Sequence, residues 1–415
     1  MKRISTNQSN FDTQYYMRLR EWQLNQLNNK MSSQKRIQNL RDDPLAAAKS
    51  TRYKSEITRM KRYSKNVENM KGNLSIEEGY LRDGLNVLQR VRELAVQGAN
   101  GVLDKSQMAY LGQEVNELLK EFVAIANSKK ADGEMLFSGF KNSTTPFRIN
   151  TGNVPGAKGE VITSVDYIGD IGKNAGEISE AAYTSANIPG NYAFWAENQQ
   201  IYSNIDARNY RVQVNSEIRI DGVTININEG DNVYAIISKI NDSSAPVKAR
   251  MDPIKNSIAL QTTFPHQMWL EDGGNGTVLQ DLGVVSSVSK NPPLNNDKTS
   301  RVFGGSIFDM MINLRDSLFK GNAEAVGSSG LAGIDKAINS LTSTIAEVGA
   351  KDARLEVTLK RLNTIIPDFV KMDSNETDLD LSKAVTDLKM LEYTHQAALS
   401  TASRVLRPTL LDFLR

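Results

Sequence analysis

The fold is decided by residues 331–369, which read LAGIDKAINSLTSTIAEVGAKDARLEVTLKRLNTIIPDF. Apolar side chains recur there at alternating spacings of three and four residues, with an interruption where Asp352 falls on the stripe. This heptad pattern predicts a helix roughly 60 Å long with a narrow apolar seam. Because so long a helix cannot bury its seam alone, the sequence predicts a partner helix. The seam includes Ile345, Val348, Leu355, Leu359 and Leu362.

A matching seam lies nearer the start of the chain, after Asp43-Pro44. Aspartate there favours a helix N-cap and proline favours the first helical position, while Gly98 and Gly101 favour the helix end. We therefore expect the two seams to close on each other as an elongated antiparallel coiled-coil rod, with the residues between them inserted at one end. Apolar residues of this second seam recur every seven positions as Met60, Val67, Leu74, Leu81 and Leu88.

Weaker apolar seams are predicted at both ends of the chain. The segment up to Arg41 and the segment after Ser374 each predict a helix with few apolar positions among many polar ones. Such helices are marginal in isolation, and we expect them to pair with each other. Pro408 is expected to end or bend the last helix. The seam residues are Leu24, Leu27 and Met31 in the first segment and Leu381, Leu388, Leu391 and Val405 in the last.

The central part of the chain has a different character, because helical periodicity fades from about Lys141 to Ser300. Residues 218–227 alternate apolar and polar side chains around Asp221-Gly222, which is a strong signal for a β-hairpin. Gly230-Asp231 is expected to cap a short helix, and extended segments follow it. Together these features predict a mostly β domain with at least one helix.

The predicted fold class is therefore mainly α with an inserted α+β domain. Gly327, Gly330 and Gly333 are expected to form a flexible joint before the long helix. Pro367 is expected to kink that helix, and Ser374-Asn375 favours a new helix start. The expected domains are a terminal helical domain (1–41 and 375–415), a helical rod domain (42–140 and 303–374) and an inserted β-rich outer domain (141–302).

Composition excludes several classes of function for this chain of 415 residues. Lys plus Arg total 50 and Asp plus Glu total 48, so the formal net charge of +2 gives no reason to expect a nucleic-acid partner. The sequence has neither a long apolar run for a membrane span nor an apolar segment typical of a signal peptide, so no membrane partner is expected. The absence of cysteine excludes disulfides, thiolate metal sites and cysteine nucleophiles.

No residue pattern points to catalysis. His395 falls on the seam of the last helix, and His266 has no second histidine near it in sequence. Residues 271–276 lack the ligand spacing of a calcium-binding loop. The basic residues within 59–65, with Tyr63 among them, are explained better as the solvated flank of a seam than as a nucleic-acid site. We therefore predict no catalytic residue, no metal ligand and no cofactor, and do not expect an enzyme.

Several motifs resemble the flagellin superfamily, over roughly residues 1–140 and 303–415. They are Arg3-Ile4-Ser5-Thr6, Asp42-Asp43-Pro44-Leu45-Ala46-Ala47-Ala48, Arg92-Glu93-Leu94-Ala95-Val96-Gln97-Gly98-Ala99-Asn100-Gly101, Leu136-Phe137-Ser138-Gly139 and Leu410-Leu411-Asp412-Phe413-Leu414. The last two narrow the resemblance to the hook–filament junction proteins of that superfamily. Flagellin itself usually has Asp-Asp-Ala-Ala-Gly where this chain has Asp-Asp-Pro-Leu-Ala. Members often have glycine where this chain has Gln34.

The resemblance implies a structural role in the bacterial flagellum. It implies secretion through the flagellar type III export apparatus, guarded by a chaperone at the C-terminal helix. It also implies that copies of the chain form a ring between the hook-side junction protein and the flagellin filament. In that arrangement the weak terminal seams are the assembly interface of an inner tube, the rod lies around them, and the β-rich insert faces outward. An external and a periplasmic flagellum are both compatible with it.

Two other functions remain open at this stage. The nearest is a flagellin-like filament subunit, which belongs to the same class of structural proteins. The other is a secreted surface-binding protein on a coiled-coil stalk, because heptads specify long helices and not a function. A strain that lacks the protein, sheds flagellin and keeps its hooks would distinguish the junction role from both alternatives.

Overall fold

Helical segments dominate both ends of the chain, and a β-containing region lies between them, so the predicted fold class is confirmed. The computed structural model describes residues 6–274, 276–286 and 291–405. The chain divides into two compact units, Met1–Lys65 with Leu359–Arg415 (the terminal unit) and Asn66–Thr358 (the central unit). Pro408 and the last predicted motif lie outside the described residues.

Long helices occur towards both ends of the chain, and the strands lie between them in sequence. In chain order the helices are α1 (Thr6–Ser33), α2 (Pro44–Ala99), α3 (Lys105–Ala126), α4 (Gly190–Ala193), α5 (Val233–Asp242), α6 (Val278–Asp281), α7 (Ile307–Lys320), α8 (Ala323–Ala325), α9 (Leu331–Thr377) and α10 (Leu381–Val405). The strands are β1 (Phe147–Asn153), β2 (Glu160–Tyr167), β3 (Ala175–Ser179), β4 (Ala182–Ser185), β5 (Gln200–Tyr202), β6 (Ser216–Ile220), β7 (Val223–Ile227), β8 (Val247–Asp252), β9 (Ser257–Thr262), β10 (Leu270–Gly273) and β11 (Arg301–Phe303).

The terminal unit is built from two helix pairs. Helix α1 packs against α10, and Arg20 Nη1 donates a hydrogen bond of 2.6 Å to Thr394 O. The start of α2 meets the end of α9, where Ser50 Oγ donates to Asp373 Oδ1 and the Tyr53 ring packs edge-on against Phe369. The predicted start of α2 is confirmed, because Asp43 Oδ1 accepts a hydrogen bond of 3.1 Å from Ala46 N.

The turn after α1 holds its first residue in a strained conformation. Gln34 has φ +54°, in the left-handed region that favours glycine. The turn is fixed by the rest of the unit, because Leu379 N donates to Gln34 O at 3.0 Å and Arg36 N donates to Thr377 O at 2.8 Å. These tertiary contacts therefore hold Gln34 in a conformation that raises its local backbone energy.

Replacing Gln34 by glycine is expected to raise the free energy of unfolding of the terminal unit by about 0.5–1 kcal/mol, since glycine adopts this φ without steric cost. Urea denaturation of the purified chain measures the change. Asn29→Gly on the exposed face of α1 is the control, and glycine in a helix interior should lower stability by a similar amount. Equal losses in both variants would show that Gln34 is not strained.

The central unit joins helices to the β-containing region through an aromatic cluster. The Phe194 and Phe308 ring centroids lie 5.9 Å apart, and Phe122 and Phe147 each lie 5.0–5.7 Å from both of them. Phe137 lies 5.0 Å from Phe194. These residues come from α3, α7 and the segments around β1 and α4. Burial of such large side chains stabilises the contact between these helices and the β-containing region.

The predicted hairpin is confirmed. β6 and β7 pair in antiparallel register from Ser216↔Ile227 to Ile220↔Val223, and the two turn residues, Asp221 and Gly222, have φ values of +49° and +80°. Two positive φ values are what a type I′ turn requires. The strand order is β10-β6-β7 in this sheet, β11-β5-β9-β8 in a second sheet, and β1-β2 and β3-β4 in two-stranded pairs.

Two expectations about the C-terminal helices were wrong. Residues Val326–Gly330 form a π-helical turn that leads into α9 rather than a flexible joint, and a Cβ on Gly330 would lie 2.9 Å from Leu314 Cδ1. The glycines are there for close packing, which sequence cannot distinguish from flexibility. Helix α9 includes Pro367, where both Pro367 and Asn363 are exposed, so water can bond the carbonyl that proline leaves unpaired; the kink expected there stays a prediction. The last helix starts at Leu381 rather than Ser374.

Candidate assembly surface and buried polar sites

The predicted assembly residues lie within the α1–α10 pair of the terminal unit. Leu24, Leu27 and Met31 are half-buried and share one face of α1, since residues three and four apart align on a helix. In α10, Leu388 and Leu391 are half-buried, whereas Leu381 is 47% exposed. The side chain of Val405 lies outside the described residues.

The contact between these two helices is incompletely filled. One groove of about 510 Å³ is lined by residues of both helices, including Tyr16, Met17 and Ala398. A second groove of about 490 Å³ is lined by Leu27 and Leu391 among others. Protein interiors are normally packed to crystal-like density, so a half-buried seam with open grooves leaves apolar surface for further side chains to cover.

The outer face of α1 carries an exposed apolar stripe, which sequence reasoning missed. Phe11 is 70% exposed, Tyr15 64%, Trp22 54% and Leu19 37%. Trp22 and Leu24 are two residues apart, which places them about 200° apart around the helix. The stripe therefore faces away from the α10 contact. Its spacing of four, four and three residues is visible in the sequence and is typical of a second apolar face.

In the central unit, the residues of the predicted rod seam are buried. Val67, Leu74, Leu81, Leu88, Val348 and Leu355 are 0% exposed, and Ile345 is 9% exposed. In the terminal unit Leu362 is buried, while Met60 and Leu359 are only half-buried. Asp352, which interrupts the seam, has an ion-pair partner in the same unit. Lys71 Nζ lies 3.8 Å from Asp352 Oδ2 and 3.3 Å from Glu356 Oε2.

Glu77 is a buried carboxyl group within α2. It is 0% exposed, and among the described residues no group makes a hydrogen bond of regular geometry to either carboxylate oxygen. Burial raises its pKa to about 8, and the nearby Lys130, Ile188 amide and Lys351 offset only part of that increase. At neutral pH the group is therefore mostly protonated, since an unpaired charge in the interior would be far more costly.

His266 and Asp221 form a second buried polar pair, which links the β6–β7 turn to the segment after β9. The His266 Nε2 atom lies 3.0 Å from Asp221 Oδ2, its Nδ1 lies 2.9 Å from Phe264 O, and both side chains are 0% exposed. Asp221 Oδ1 accepts a further hydrogen bond from Trp269 N at 2.9 Å. Tyr192 stacks on the imidazole at 4.9 Å. Every polar atom of the pair faces a partner inside the fold. The pair therefore holds the β6–β7 turn against the segment after β9 and is inaccessible to a substrate.

Two stretches that the sequence analysis rejected as binding sites contain residues with structural roles. Tyr63, in the basic stretch, is 4% exposed. Asp272, which lies in β10 and in the stretch rejected as a calcium-binding loop, accepts hydrogen bonds from the Leu279 and Gln280 amides at the start of α6. Among residues 6–274, 276–286 and 291–405, no group of three or more His, Asp or Glu side chains is arranged to hold a metal ion. Within the same residues, no helix combines the length and apolar character needed to cross a membrane.

Comparison with known protein families finds matches at both ends of the chain. The N-terminal helical region of bacterial flagellin matches residues 4–142, and the C-terminal helical region of bacterial flagellin matches residues 331–414. These two regions of one family together cover more than half of the chain. They contain α1 to α3, α9 and α10, and they leave out the sheets of the central unit.

Polar flagellin A of Vibrio parahaemolyticus is 23% identical over 401 residues, which cover 96% of this chain and 94% of that protein. Two other relatives match shorter stretches. The flagellar filament 33 kDa core protein of Treponema phagedenis is 34% identical over 110 residues, which cover 26% of this chain and 38% of that protein. Flagellar hook-associated protein 3 of Salmonella typhimurium is 28% identical over 146 residues, which cover 35% of this chain and 45% of that protein. This chain thus spans less than half the length of either relative. A crystal structure of flagellar hook-associated protein 3 from Legionella pneumophila aligns with a TM-score of 0.46 at 18% identity, covering 77% of this chain and 96% of that one.

Proposed function

This chain belongs to the flagellin family of structural flagellar proteins, and we propose that it joins the hook to the flagellin filament. The observation that carries the proposal is the α1–α10 pair, which has apolar surface in its grooves and along its outer face. An exposed apolar surface of this kind is typical of a subunit that is completed by neighbours.

The assembly interface of the proposal has two parts. Four half-buried seam residues become fully buried when a neighbouring subunit fills the adjoining grooves. They are Leu24, Leu27, Leu388 and Leu391. The outer stripe represented by Trp22 packs against another copy. Contacts between different faces of identical subunits repeat around a ring, and they continue along a tube unless geometry closes them. We propose that residues 1–41 and 375–415 form an inner tube in this way, that 42–140 and 303–374 surround it, and that 141–302 face outward.

The partners follow from that position. Besides copies of itself, the chain contacts the hook-side junction protein below and flagellin above. It is secreted through the flagellar type III apparatus, and an export chaperone covers the C-terminal helix before assembly. Covering Leu388 and Leu391 at that stage would keep their apolar surface from premature association.

A filament subunit is the second candidate, and the match to the Treponema phagedenis filament core protein favours it. One observation favours the junction instead. The chain has Asp-Asp-Pro-Leu-Ala at residues 42–46, where flagellin usually has Asp-Asp-Ala-Ala-Gly.

Deletion of the gene separates the two candidates. We expect cells without this chain to keep hooks, to lose filaments and to release flagellin into the medium, because filament subunits would be exported with nothing to attach to. Electron microscopy of the cell surface and immunoblotting of the culture medium measure these outcomes. Loss of a major filament protein, with other flagellin still retained on the hooks, would identify the chain as a filament subunit.

A further inference from the structure

A groove of the central unit lies where β5, β11 and α9 meet. It encloses about 790 Å³ and is lined by side chains that include Tyr202, Phe303, Arg301 and Lys336. A second groove of about 550 Å³ shares Ala196, Pro265 and Lys336 with it, so the two are continuous. Each volume falls in the range of ligand sites in proteins, and a continuous pair suits an extended ligand.

Each groove contains an aromatic pair. In the first, the rings of Tyr202 and Phe303 pack edge to face with centroids 5.8 Å apart, and Phe303 is 54% exposed. In the second, Tyr192 and Phe264 lie 5.6 Å apart, and Phe264 is 42% exposed. Exposed rings at two places along one groove provide apolar faces for a ligand made of several rings.

Planar polar side chains also line the first groove and keep unused hydrogen-bonding atoms. Asn198 donates through Nδ2 to Thr262 O at 3.1 Å, and Gln200 accepts through Oε1 from the Tyr202 hydroxyl at 3.0 Å. Within the part of the chain that the structure describes, no residue bonds the other amide atom of either side chain. These amides can therefore accept from, and donate to, hydroxyl groups of a ligand.

The charges of the groove limit what the ligand can carry. Lys336 Nζ is neutralised by Glu197 Oε1 at 2.7 Å, and Asp252 also lines the groove. The guanidinium group of Arg301 has no ion pair or hydrogen bond among the described residues, although it lines the same groove. One unpaired guanidinium beside two carboxylates suits a ligand with hydroxyl groups and an isolated carboxylate, and it disfavours a polyphosphate.

We propose that this groove binds an acidic oligosaccharide, meaning a sugar chain that bears carboxylates. Sugar rings would stack their C–H faces on Phe303 and Phe264, their hydroxyls would bond the amides, and one carboxylate would pair with Arg301. An extended peptide added to the edge of β11 fits less well, because that strand has three residues and offers few main-chain bonds. This inference is independent of the flagellar role.

The test is titration calorimetry of the full chain with two sugar probes. A hyaluronan tetrasaccharide, which alternates N-acetylglucosamine and glucuronate, should bind roughly tenfold more tightly than uncharged chitotetraose. Arg301→Gln should abolish that difference and leave chitotetraose unchanged. Phe303→Ala should weaken both sugars by roughly tenfold. Tyr234→Ala, an equally exposed aromatic outside the groove, should change neither.

Thermal unfolding of each variant checks that it is folded, and both Arg301 and Phe303 are exposed, so their replacement should leave the midpoint unchanged. The proposal is overturned if neither sugar binds at roughly millimolar concentration. It is also overturned if both groove variants bind hyaluronan as the unaltered chain does. Binding of a pentaglutamate peptide without binding of either sugar would assign the groove to peptides and reject the proposal.

Discussion

Replacing Glu77 by glutamine is expected to raise the free energy of unfolding of the central unit at about pH 9 by several kcal/mol, on the order of 5, and to change it little at about pH 4. The pKa of Glu77 is raised by burial from 4.5 to about 8. The unfolded chain therefore releases the proton at lower pH than the folded chain does. The unaltered protein should lose stability as pH rises from 4.5 towards 8, and glutamine removes this loss because it has no proton to release.

Urea denaturation across this pH range measures the effect. Glu78→Gln is the matched control, since Glu78 is the next residue and pairs with Arg82 at 2.6 Å near the surface. Exposed pairs contribute about 0–1 kcal/mol, so the control should follow the pH profile of the unaltered chain. Parallel profiles for Glu77→Gln and the unaltered chain would show that the Glu77 carboxylate is already charged or solvated in the fold.

Replacing Leu355 by aspartate is expected to lower the free energy of unfolding of the central unit by more than about 4 kcal/mol. Leu355 is 0% exposed, so the change leaves a cavity and places a carboxylate where it has no partner. Val357→Asp is the control on the same helix, because Val357 is 68% exposed and the added charge would be solvated. Denaturant titration of both variants should show a large loss for the first and a change within about 0.5 kcal/mol for the second.

Equal effects of the two substitutions would contradict the burial pattern of α9. The sequence pattern alone ranks Leu359 with Leu355, because both lie on the same heptad seam. The structure separates them, since Leu359 is half-buried and belongs to the terminal unit. Periodicity indicates which face of a helix is apolar, but the packing of neighbouring elements determines how fully each position is covered.

Local rules predicted the hairpin and the start of α2 because the required conformations are specific to residue type. Asp221-Gly222 supplies the two positive φ values of the turn, and Asp43-Pro44 supplies a cap and a preset φ. The buried acid could also have been found. Counting from Leu74, Glu77 falls three positions further along the seam, where a heptad places an apolar residue.

Other features depend on tertiary packing that sequence does not reveal. The glycines around the start of α9 predicted a flexible joint, yet Gly333 lies within that helix and so close to Met310 that a Cβ would be 2.8 Å from its sulfur atom. The His266–Asp221 pair joins residues 45 positions apart, and no local pattern predicts it. The groove beside Phe303 likewise depends on β5, β11 and α9 coming together.

The outer stripe of α1 provides the most direct test of the account, because its residues are exposed in the single chain. In a strain that lacks the gene, plasmids would supply the unaltered chain, the double variant Tyr15→Ser/Trp22→Ser, or the control Tyr183→Ser, which alters an exposed tyrosine of β4. The three chains should be secreted in equal amounts. Urea denaturation of the purified chains should give equal free energies of unfolding.

The measurement is the fraction of hooks that carry filaments, counted by electron microscopy together with flagellin in the medium. We predict that the unaltered chain and Tyr183→Ser restore filaments, whereas the double variant leaves bare hooks and releases flagellin. Filaments of normal number and length on cells with the double variant would contradict the assignment of this helix face to assembly.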